Sequence, residues 1–349
     1  MDKKDNPFHI LIIRLSAMGD VAMMVPLLQG LLAKYPNLKI TILTKKHLAS
    51  IFSHLEGVNV HIANIKTEHK GFPGLWRLYK ELKKQHIDAV ADLHNVLRSN
   101  VLKKYFVLSK IPFVQVDKGR KEKKALTRAK NKEFVQLKTT HERYTMVFSA
   151  LGFPIQTSDC KLLQRQPLPE KLLELVVQDT KKWIGIAPFA AHQGKMYPLD
   201  LMKEVIKELD NTEKYKVVLF GGGEAESRQI TELSRDFNNT LNLAAKLTLE
   251  EELTIISNLD IMVSMDSGNA HLAANYGIPV VTLWGVTHPF AGFYPFGQPM
   301  ENAILADRKK YPLIPTSVYG NKVPVGYEGV MESITPQSVI DKILEILQK

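Results

Sequence analysis

The sequence has only one cysteine, Cys160, among its 349 residues. A single thiol excludes an intramolecular disulfide and a metal site built from cysteines. No apolar run approaches the roughly 18–20 residues that a membrane-spanning helix needs. The charged residues 1–7 also lack the apolar core of a signal peptide. We therefore expect a globular protein of the cytoplasm.

Two further motifs are missing. The loop after the first predicted strand holds one glycine, Gly19, where a dinucleotide fingerprint needs three. This weakens the assignment as a dehydrogenase. The sequence also has no Asp-x-Asp pair that would hold a divalent ion on a diphosphate. We expect neither a bound metal ion nor a resident cofactor.

Strand-like apolar runs alternate with helical segments along the whole chain, which is typical of α/β proteins with doubly wound parallel sheets. Residues 152–169 lose this periodicity and contain three prolines. We therefore predict one domain over residues 1–160, a second over 161–334, and a C-terminal helix over 335–349. Two such domains would face each other across a cleft, with ligands at the carboxyl ends of the strands.

The net charge of +10 is unevenly distributed. Residues 1–160 carry 27 Lys and Arg against 13 Asp and Glu, and residues 118–143 alone carry 10 against 3. This asymmetry predicts an anionic partner: nucleic acid, a membrane surface or a phosphorylated substrate. Nucleic acid is disfavoured because Phe134 is the only aromatic residue of the basic segment besides His141. We place Lys121, Lys123, Lys124 and Arg128 on one patch that meets an anionic membrane or acceptor.

The most informative stretch is Ser264–Asn275, which follows one apolar run and precedes another. It predicts a strand over residues 260–264 and a helix over 270–276, so that Asp266 to Asn269 lie where the strand ends and the helix begins. The start of a helix presents unpaired N–H groups and a partial positive charge, which together suit a phosphate. The alternative is an ordinary helix cap without a ligand.

Three other loops hold candidate residues. Asp20 follows the first strand and is either a general base or a helix cap. Lys195 lies in a loop of small residues, where its ammonium group suits a diphosphate, although such a lysine is often only solvated. Glu224 follows a run of three glycines. It either accepts hydrogen bonds from ribose hydroxyls or interacts favourably with the positive end of the helix dipole.

Together these stretches resemble glycosyltransferase family 9, the ADP-heptose:lipopolysaccharide heptosyltransferases. The resemblance rests on Ile12–Val21, Asp88–Ser99, Gly194–Pro198, Phe220–Glu224 and Ser264–Ala273, in the family's order. It implies the GT-B fold: two Rossmann-like domains, with the nucleotide-sugar mostly on the C-terminal one and the acceptor on the N-terminal one.

The resemblance also implies residue roles. Asp20 would be the catalytic base, Lys195 would bind the diphosphate and Glu224 the ribose. Arg98 and Ser99 would join the basic patch in binding the acceptor. The donor phosphates would lie against Asp266, Ser267, Gly268, Asn269 and His271. With a base opposite the leaving group, these roles imply an inverting, metal-independent transferase.

The implied reaction moves a heptose, with ADP-heptose as donor, to a phosphorylated glycolipid of the lipopolysaccharide inner core. The enzyme would act as a monomer, peripherally on the inner face of the cytoplasmic membrane, and would bind no nucleic acid. Two alternatives stay open. A nucleotide-sugar epimerase of the same architecture would need two acid/base groups and no acceptor site, and a non-catalytic nucleotide-sugar-binding protein would have no use for Asp20.

Overall fold

The computed structural model describes residues 7–176 and 179–348, and the chain divides into two compact units. The N-terminal unit comprises the chain up to residue 120 together with residues 138–163. The C-terminal unit comprises residues 121–137 and the chain from residue 164 onward. The first domain was predicted to begin at residue 1 and the C-terminal helix to end at residue 349, and both of these residues lie outside the described ranges.

The N-terminal unit is built on a five-stranded parallel sheet of order β3-β2-β1-β4-β5. The strands are β1 (Phe8–Ile13), β2 (Leu38–Thr44), β3 (Val58–Ile62), β4 (Ala89–Asp92) and β5 (Phe113–Gln115). Its helices are α1 (Met18–Ala22), α2 (Val25–Lys34), α3 (Gly71–Lys83), α4 (Leu97–Leu108) and α6 (Thr140–Ala150). Helix α5 (Arg120–Thr127) lies between α4 and α6 in the chain but belongs almost entirely to the C-terminal unit. Short 3-10 helices lie at Lys46–Phe52 and Thr157–Asp159.

The C-terminal unit is built on a six-stranded parallel sheet of order β11-β10-β9-β6-β7-β8. Its strands are β6 (Lys182–Ala187), β7 (Tyr215–Leu219), β8 (Thr240–Asn242), β9 (Ile261–Met265), β10 (Val280–Trp284) and β11 (Ala303–Leu305). Its helices after residue 164 are α7 (Glu170–Leu175), α8 (Leu199–Asn211), α9 (Gly223–Ser234), α10 (Leu249–Ile256), α11 (Gly268–Ala274) and α12 (Pro336–Leu347). Short 3-10 helices lie at Gln193–Lys195, Pro289–Ala291, Met300–Asn302 and Val330–Ser333.

The burial of the central strand β1 fits a parallel sheet that is covered on both faces. Ile10 to Ile13 of β1 are fully buried, as expected of a strand that helices cover on both faces. In each unit the order of strands reverses at one place, between β1 and β4 and between β6 and β9. Such a reversal opens a crevice at the carboxyl ends of the two strands, where ligands bind in this architecture. The predicted α/β class with two parallel sheets is confirmed.

The predicted C-terminal helix does not stand apart from the second domain. Val339, Ile343 and Leu347 of α12 are buried in the apolar core of the C-terminal unit. Thr335 caps the helix by accepting a hydrogen bond from the Ser338 N–H. The helix belongs to the C-terminal unit because its apolar stripe completes that unit's core. None of the described helices is long and apolar enough to cross a membrane.

The middle of the basic segment, residues 121–137, does not belong to the first domain as predicted. Leu126 and Leu137 are buried in a cluster with Ala291 of the C-terminal unit. The Lys132 ammonium donates to the carbonyls of Leu126 and Pro315, at 2.9 and 2.7 Å. Residues 121–137 therefore form part of the C-terminal unit, because their few apolar side chains find their partners there.

Phe134 holds this segment in place. The Arg308 guanidinium lies 3.6 Å from the centre of its ring, and the rings of His288 and Phe290 lie 5.0 Å away. Phe134 therefore combines apolar contact with a cation–π interaction.

We predict that Phe134→Ala loosens residues 121–137 without unfolding the protein. Loss of the ring removes about 2 kcal/mol of local stability. The N–H group of Leu137 donates to the Phe290 carbonyl, and that of Glu133 to the Ala125 carbonyl. We expect hydrogen exchange of these two amides to accelerate about thirtyfold. Val135→Ala is the matched control, because Val135 is 54% exposed. Equal exchange in both variants would contradict this role of Phe134.

Candidate active site

Asp20 lies in α1, just after the central strand β1, at the carboxyl edge of the N-terminal sheet. Its carboxylate forms an ion pair with the Arg14 guanidinium and accepts a hydrogen bond of 3.3 Å from the Ala17 N–H. The buried Tyr144 hydroxyl donates to the Asp20 carbonyl at 3.2 Å. The carboxylate stays 22% exposed, so it is oriented by the protein and still reachable by a substrate.

Arg14 was not among the predicted site residues. It follows β1 directly, is buried, and donates a second bond to the Leu93 carbonyl after β4. It thus connects the two strands that border the crevice. A polar residue at the end of a fully apolar strand was the signal for it in the sequence.

His94 and Lys118 complete the surroundings of Asp20. The His94 ring nitrogens lie 3.4 Å from the Leu15 nitrogen and 3.3 Å from the Ser16 hydroxyl. Burial, and then the charges of Arg14 and Lys118, lower the pKa of His94 from 6.5 to about 3. Burial and the charge of Arg14 also lower the pKa of Lys118, whose charge interacts favourably with Asp20. A neutral imidazole and two cations therefore surround the carboxylate.

The predicted acceptor residues of the N-terminal unit differ from one another. Arg98 is exposed in the first turn of α4. Ser99 is fully buried, and its hydroxyl both accepts from the Val96 N–H and donates to the Val96 carbonyl, at 3.0 Å each. The Ser99 hydroxyl therefore caps the start of α4 from within its first turn, and its contact with the acceptor stays a prediction.

The predicted patch of four basic residues does not form as a unit. Lys121 and Lys124 are exposed on α5, but Lys123 is buried with its ammonium 4.0 Å from the centre of the Phe293 ring. Arg128 forms an ion pair of 2.7 Å with Glu133. Lys123 is occupied within the C-terminal unit because a cation can stack on an aromatic ring there.

Lys195 and Asp266 meet in the C-terminal unit. Lys195 ends the short helix Gln193–Lys195 after β6, and Asp266 follows β9, the strand next to β6. The Lys195 ammonium lies 3.3 Å from the Asp266 carboxylate, and both side chains are mostly buried. The lysine stem passes closely over Gly320, where a Cβ would clash with it at 2.4 Å. The structure thus holds the ammonium group at the carboxyl edge of the sheet.

The start of α11 lies beside this pair. Ser267 is the N-cap residue, but its side chain makes no capping hydrogen bond to the helix. Its hydroxyl instead lies 3.0 Å from that of Ser264. Gly268 and Asn269 are half-buried in the first turn, whereas His271 is buried. An uncapped helix start next to an ammonium group is suited to an anion.

The glycine run after β7 forms an open turn. The Gly222 N–H donates to the Glu226 carboxylate at 2.7 Å, so Glu226, rather than Glu224, satisfies the turn. Gly223 has a φ of +75°, and a Cβ at Gly222 or Gly223 would meet nothing within 4 Å. Glu224 is exposed above this open space, where its carboxylate is available to a ligand.

Thr287 is a buried polar residue that was not among the predicted site residues. It lies beyond the end of β10 and is 1% exposed. Its hydroxyl makes no hydrogen bond to any residue that the structure describes. Nearby His288 stays neutral, because burial and the charge of Arg308 lower its pKa to about 4. The Val286 N–H donates to the Gly194 carbonyl and thereby fixes the lysine loop against this strand end.

Comparison with known proteins identifies the family. The profile of glycosyltransferase family 9 (heptosyltransferase) matches residues 75–314. The chain belongs to glycosyltransferase family 9. It is 26% identical to a lipooligosaccharide heptosyltransferase 2 of Haemophilus influenzae over 98% of this chain and 100% of that protein. It is thus a glycosyltransferase of the heptosyltransferase family.

Solved structures of the family share the fold. A family 9 glycosyltransferase of Veillonella parvula superimposes with a TM-score of 0.75 at 19% identity, over 98% of each chain. The Escherichia coli heptosyltransferase WaaC, solved with ADP, gives 0.68 at 19% identity over 97% of this chain and 100% of that protein. Both sheets of this family 9 protein therefore belong to a GT-B fold.

We predict that His94→Gln makes this family 9 protein less sensitive to acid. Folded His94 resists protonation until about pH 3, whereas unfolded His94 takes up a proton near 6.5. The stability from neutral His94 is complete above pH 6.5 and falls by about 1.4 kcal/mol per pH unit below it. Denaturant unfolding of the N-terminal unit across this range measures the slope. His47→Gln, an exposed histidine of the same unit, is the control, and identical slopes in all three proteins would refute the effect.

Proposed function

We propose that the protein is an inverting, metal-independent heptosyltransferase that uses ADP-heptose as donor. Its acceptor is the phosphorylated inner core of a lipid A-linked glycolipid. The observation that carries the proposal is the Asp20 carboxylate, which Arg14 orients at the carboxyl edge of β1 while leaving it reachable. The Lys195–Asp266 pair beside the uncapped start of α11 supplies the matching donor site.

In the proposed reaction Asp20 accepts the proton of the acceptor hydroxyl. The hydroxyl oxygen then forms a bond to the anomeric carbon while the bond from that carbon to the diphosphate oxygen breaks. Attack opposite the leaving group inverts the anomeric configuration. General base catalysis of this kind contributes about 10²–10⁴ in rate. The departing ADP carries the electron pair and is stabilised by Lys195 and the N–H groups of α11.

Asp266 has a different role from its neighbours in this proposal. A carboxylate in direct contact with a diphosphate would repel it. We assign Asp266 to orient Lys195 and to accept hydrogen bonds from hydroxyls of the sugar. The backbone N–H groups of Gly268 and Asn269 and the Ser267 hydroxyl bind the phosphates, and Glu224 binds the ribose. His271 is buried behind them and supports the helix start.

Arg98 and Lys118 are the proposed acceptor ligands of the N-terminal unit. Arg98 is exposed where α4 begins after β4, and the charge of Lys118 reaches Asp20. Both cations suit the phosphates of a lipopolysaccharide core. We place the enzyme in the cytoplasm, as a monomer that works at the inner leaflet. An epimerase is not favoured, because the family match is to sugar-transferring enzymes.

We predict that Asp20→Asn lowers the rate of heptosyl transfer by about 10²–10⁴ while ADP binding stays unchanged. The amide keeps the shape of the carboxylate but cannot take up the proton. Turnover with ADP-heptose and a soluble core acceptor gives the rate, and calorimetry with ADP tests the donor site. Glu56→Gln, an exposed acid of the same unit, controls for the change in charge. A variant that keeps more than about a tenth of the parent rate would show that Asp20 is only a helix cap.

We predict that Lys195→Ala weakens binding of both ADP and the donor by about 10- to 100-fold, since it removes a charged hydrogen-bond donor from the phosphates. Lys203→Ala removes a partly exposed lysine paired with Asp236 and should leave both affinities unchanged. Calorimetry with ADP measures these constants. Unaltered binding in Lys195→Ala would exclude this lysine from the site.

We predict that Glu224→Ala weakens binding of adenosine as well as of ADP, by about five- to tenfold, because its partner is the ribose. Glu226 satisfies the Gly222 N–H, so Glu226→Ala tests whether a disturbed turn alone has the same effect. If Glu226→Ala lost more affinity for adenosine and ADP than Glu224→Ala, Glu224 would not be the residue that contacts the ribose.

A further inference from the structure

Helix α3 carries an exposed stripe of aromatic and basic side chains. Phe72, Trp76 and Lys80 follow one another at four-residue spacing and therefore lie on one side of the helix. Phe72 is 68% exposed and Trp76 is 45% exposed, although both are large and apolar. The core of the unit uses the opposite stripe, which consists of Leu75, Leu78 and Leu82.

Helix α4 carries a second stripe of the same kind. Leu97, Lys104 and Leu108 lie on one side of this helix, and the two leucines are 78% and 82% exposed. The Tyr105 ring of α4 contacts the Trp76 ring of α3 edge to face, with 5.0 Å between their centres. This contact joins both stripes into one surface. We define the α3–α4 face as Phe72, Trp76, Lys80, Leu97, Lys104 and Leu108.

The α3–α4 face is strongly basic. Arg77 and Lys83 are exposed on α3 beside the stripe, and α4 contains no acidic residue. The one acidic residue of α3 is Glu81, whose carboxylate lies 3.3 Å from His61 and from His69. The positive charges of this face therefore have no acidic residue of α3 or α4 opposite them apart from Glu81.

The face begins at the edge of the sheet that holds Asp20. In a parallel sheet with helical connections, each helix starts at the carboxyl end of the preceding strand. Phe72 lies in the first turn of α3, after β3, and Leu97 in the first turn of α4, after β4. A surface in contact with this face would thus lie close to the acceptor side of the candidate site.

We propose that the α3–α4 face docks on an anionic phospholipid bilayer. Phe72, Trp76 and the two leucines enter the boundary between headgroups and acyl chains, where aromatic residues are enriched. The lysines and Arg77 meet the lipid phosphates. The proposal deepens the proposed function and rests on it, because the acceptor is linked to lipid. It places the membrane contact on α3 and α4 rather than on the patch first predicted for it, Lys121, Lys123, Lys124 and Arg128.

Two observations favour a bilayer over single-stranded nucleic acid. A nucleic-acid surface stacks bases on open aromatic rings, whereas Trp76 already stacks on Tyr79 at 5.1 Å and 28°. The most exposed apolar residues of the face, Leu97 and Leu108, are aliphatic and offer no ring to a base. Aliphatic side chains between lysines are typical of helices that lie on membranes.

The test is co-sedimentation of the full chain with phosphatidylcholine vesicles that contain or lack phosphatidylglycerol. We expect the double variant Phe72→Ser with Leu108→Ser to bind anionic vesicles about tenfold or more weakly. Arg77→Gln with Lys80→Gln should lose roughly an order of magnitude at low salt and less at high salt. Lys121→Gln with Lys124→Gln removes the same charge from the segment first predicted for this role, and should bind like the parent protein.

Tryptophan fluorescence locates the contact independently. Of the three tryptophans, Trp284 is buried and Trp183 is half-buried in β6, whereas Trp76 is exposed. Anionic vesicles should therefore shift the emission to the blue in the parent protein but not in Trp76→Phe. Vesicle binding that is unchanged in both face variants overturns the proposal. Loss confined to the Lys121 and Lys124 variant, or binding of single-stranded RNA in place of vesicles, overturns it as well.

Titration with ADP separates this proposal from the proposed function. A protein that binds ADP and transfers heptose to a soluble acceptor, but binds no anionic vesicle, contradicts only the docking face. A protein that binds vesicles through this face but binds no ADP contradicts the proposed function and leaves the docking face in place.

Discussion

The site depends on one constraint of parallel sheets: all strands end at the same edge. Residues far apart in sequence therefore meet wherever neighbouring strands end. Asp20 and His94 follow β1 and β4, and Lys195 and Asp266 follow β6 and β9. The helices that begin at this edge add unpaired N–H groups, of which the uncapped start of α11 is one. Each unit thus carries its polar residues at the reversal of its strand order.

Each buried functional charge has a partner of opposite sign. Arg14 pairs with Asp20, and Lys195 pairs with Asp266. A charge taken out of water without such a partner would be strongly destabilising. The pairs also fix the geometry of both groups before a substrate binds, so that little reorganisation is left for the reaction itself. Pairing with an opposite charge thus both stabilises these buried side chains and holds them in position for charged ligands.

The sequence alone determined the class of fold and most of the candidate residues. Alternation of apolar strands and amphipathic helices predicts parallel sheets, because both periods follow from backbone geometry. The positions of Asp20, Lys195 and Asp266 at strand ends follow from the same pattern. The motifs around them also pointed to family 9, which the match over residues 75–314 bears out. Local patterns are sufficient for these predictions, since each depends on residues close together in the chain.

Only the tertiary structure decided which surface each charged segment joins. Residues 121–137 pack into the C-terminal unit because Leu126, Leu137 and Phe134 find partners near Ala291 and Arg308. Composition predicted a basic patch there, but Lys123 is buried over Phe293. The basic and aromatic α3–α4 face was not predicted, because it arises where two separate helices meet. Burial and exposure depend on contacts between distant residues, and a linear pattern does not contain them.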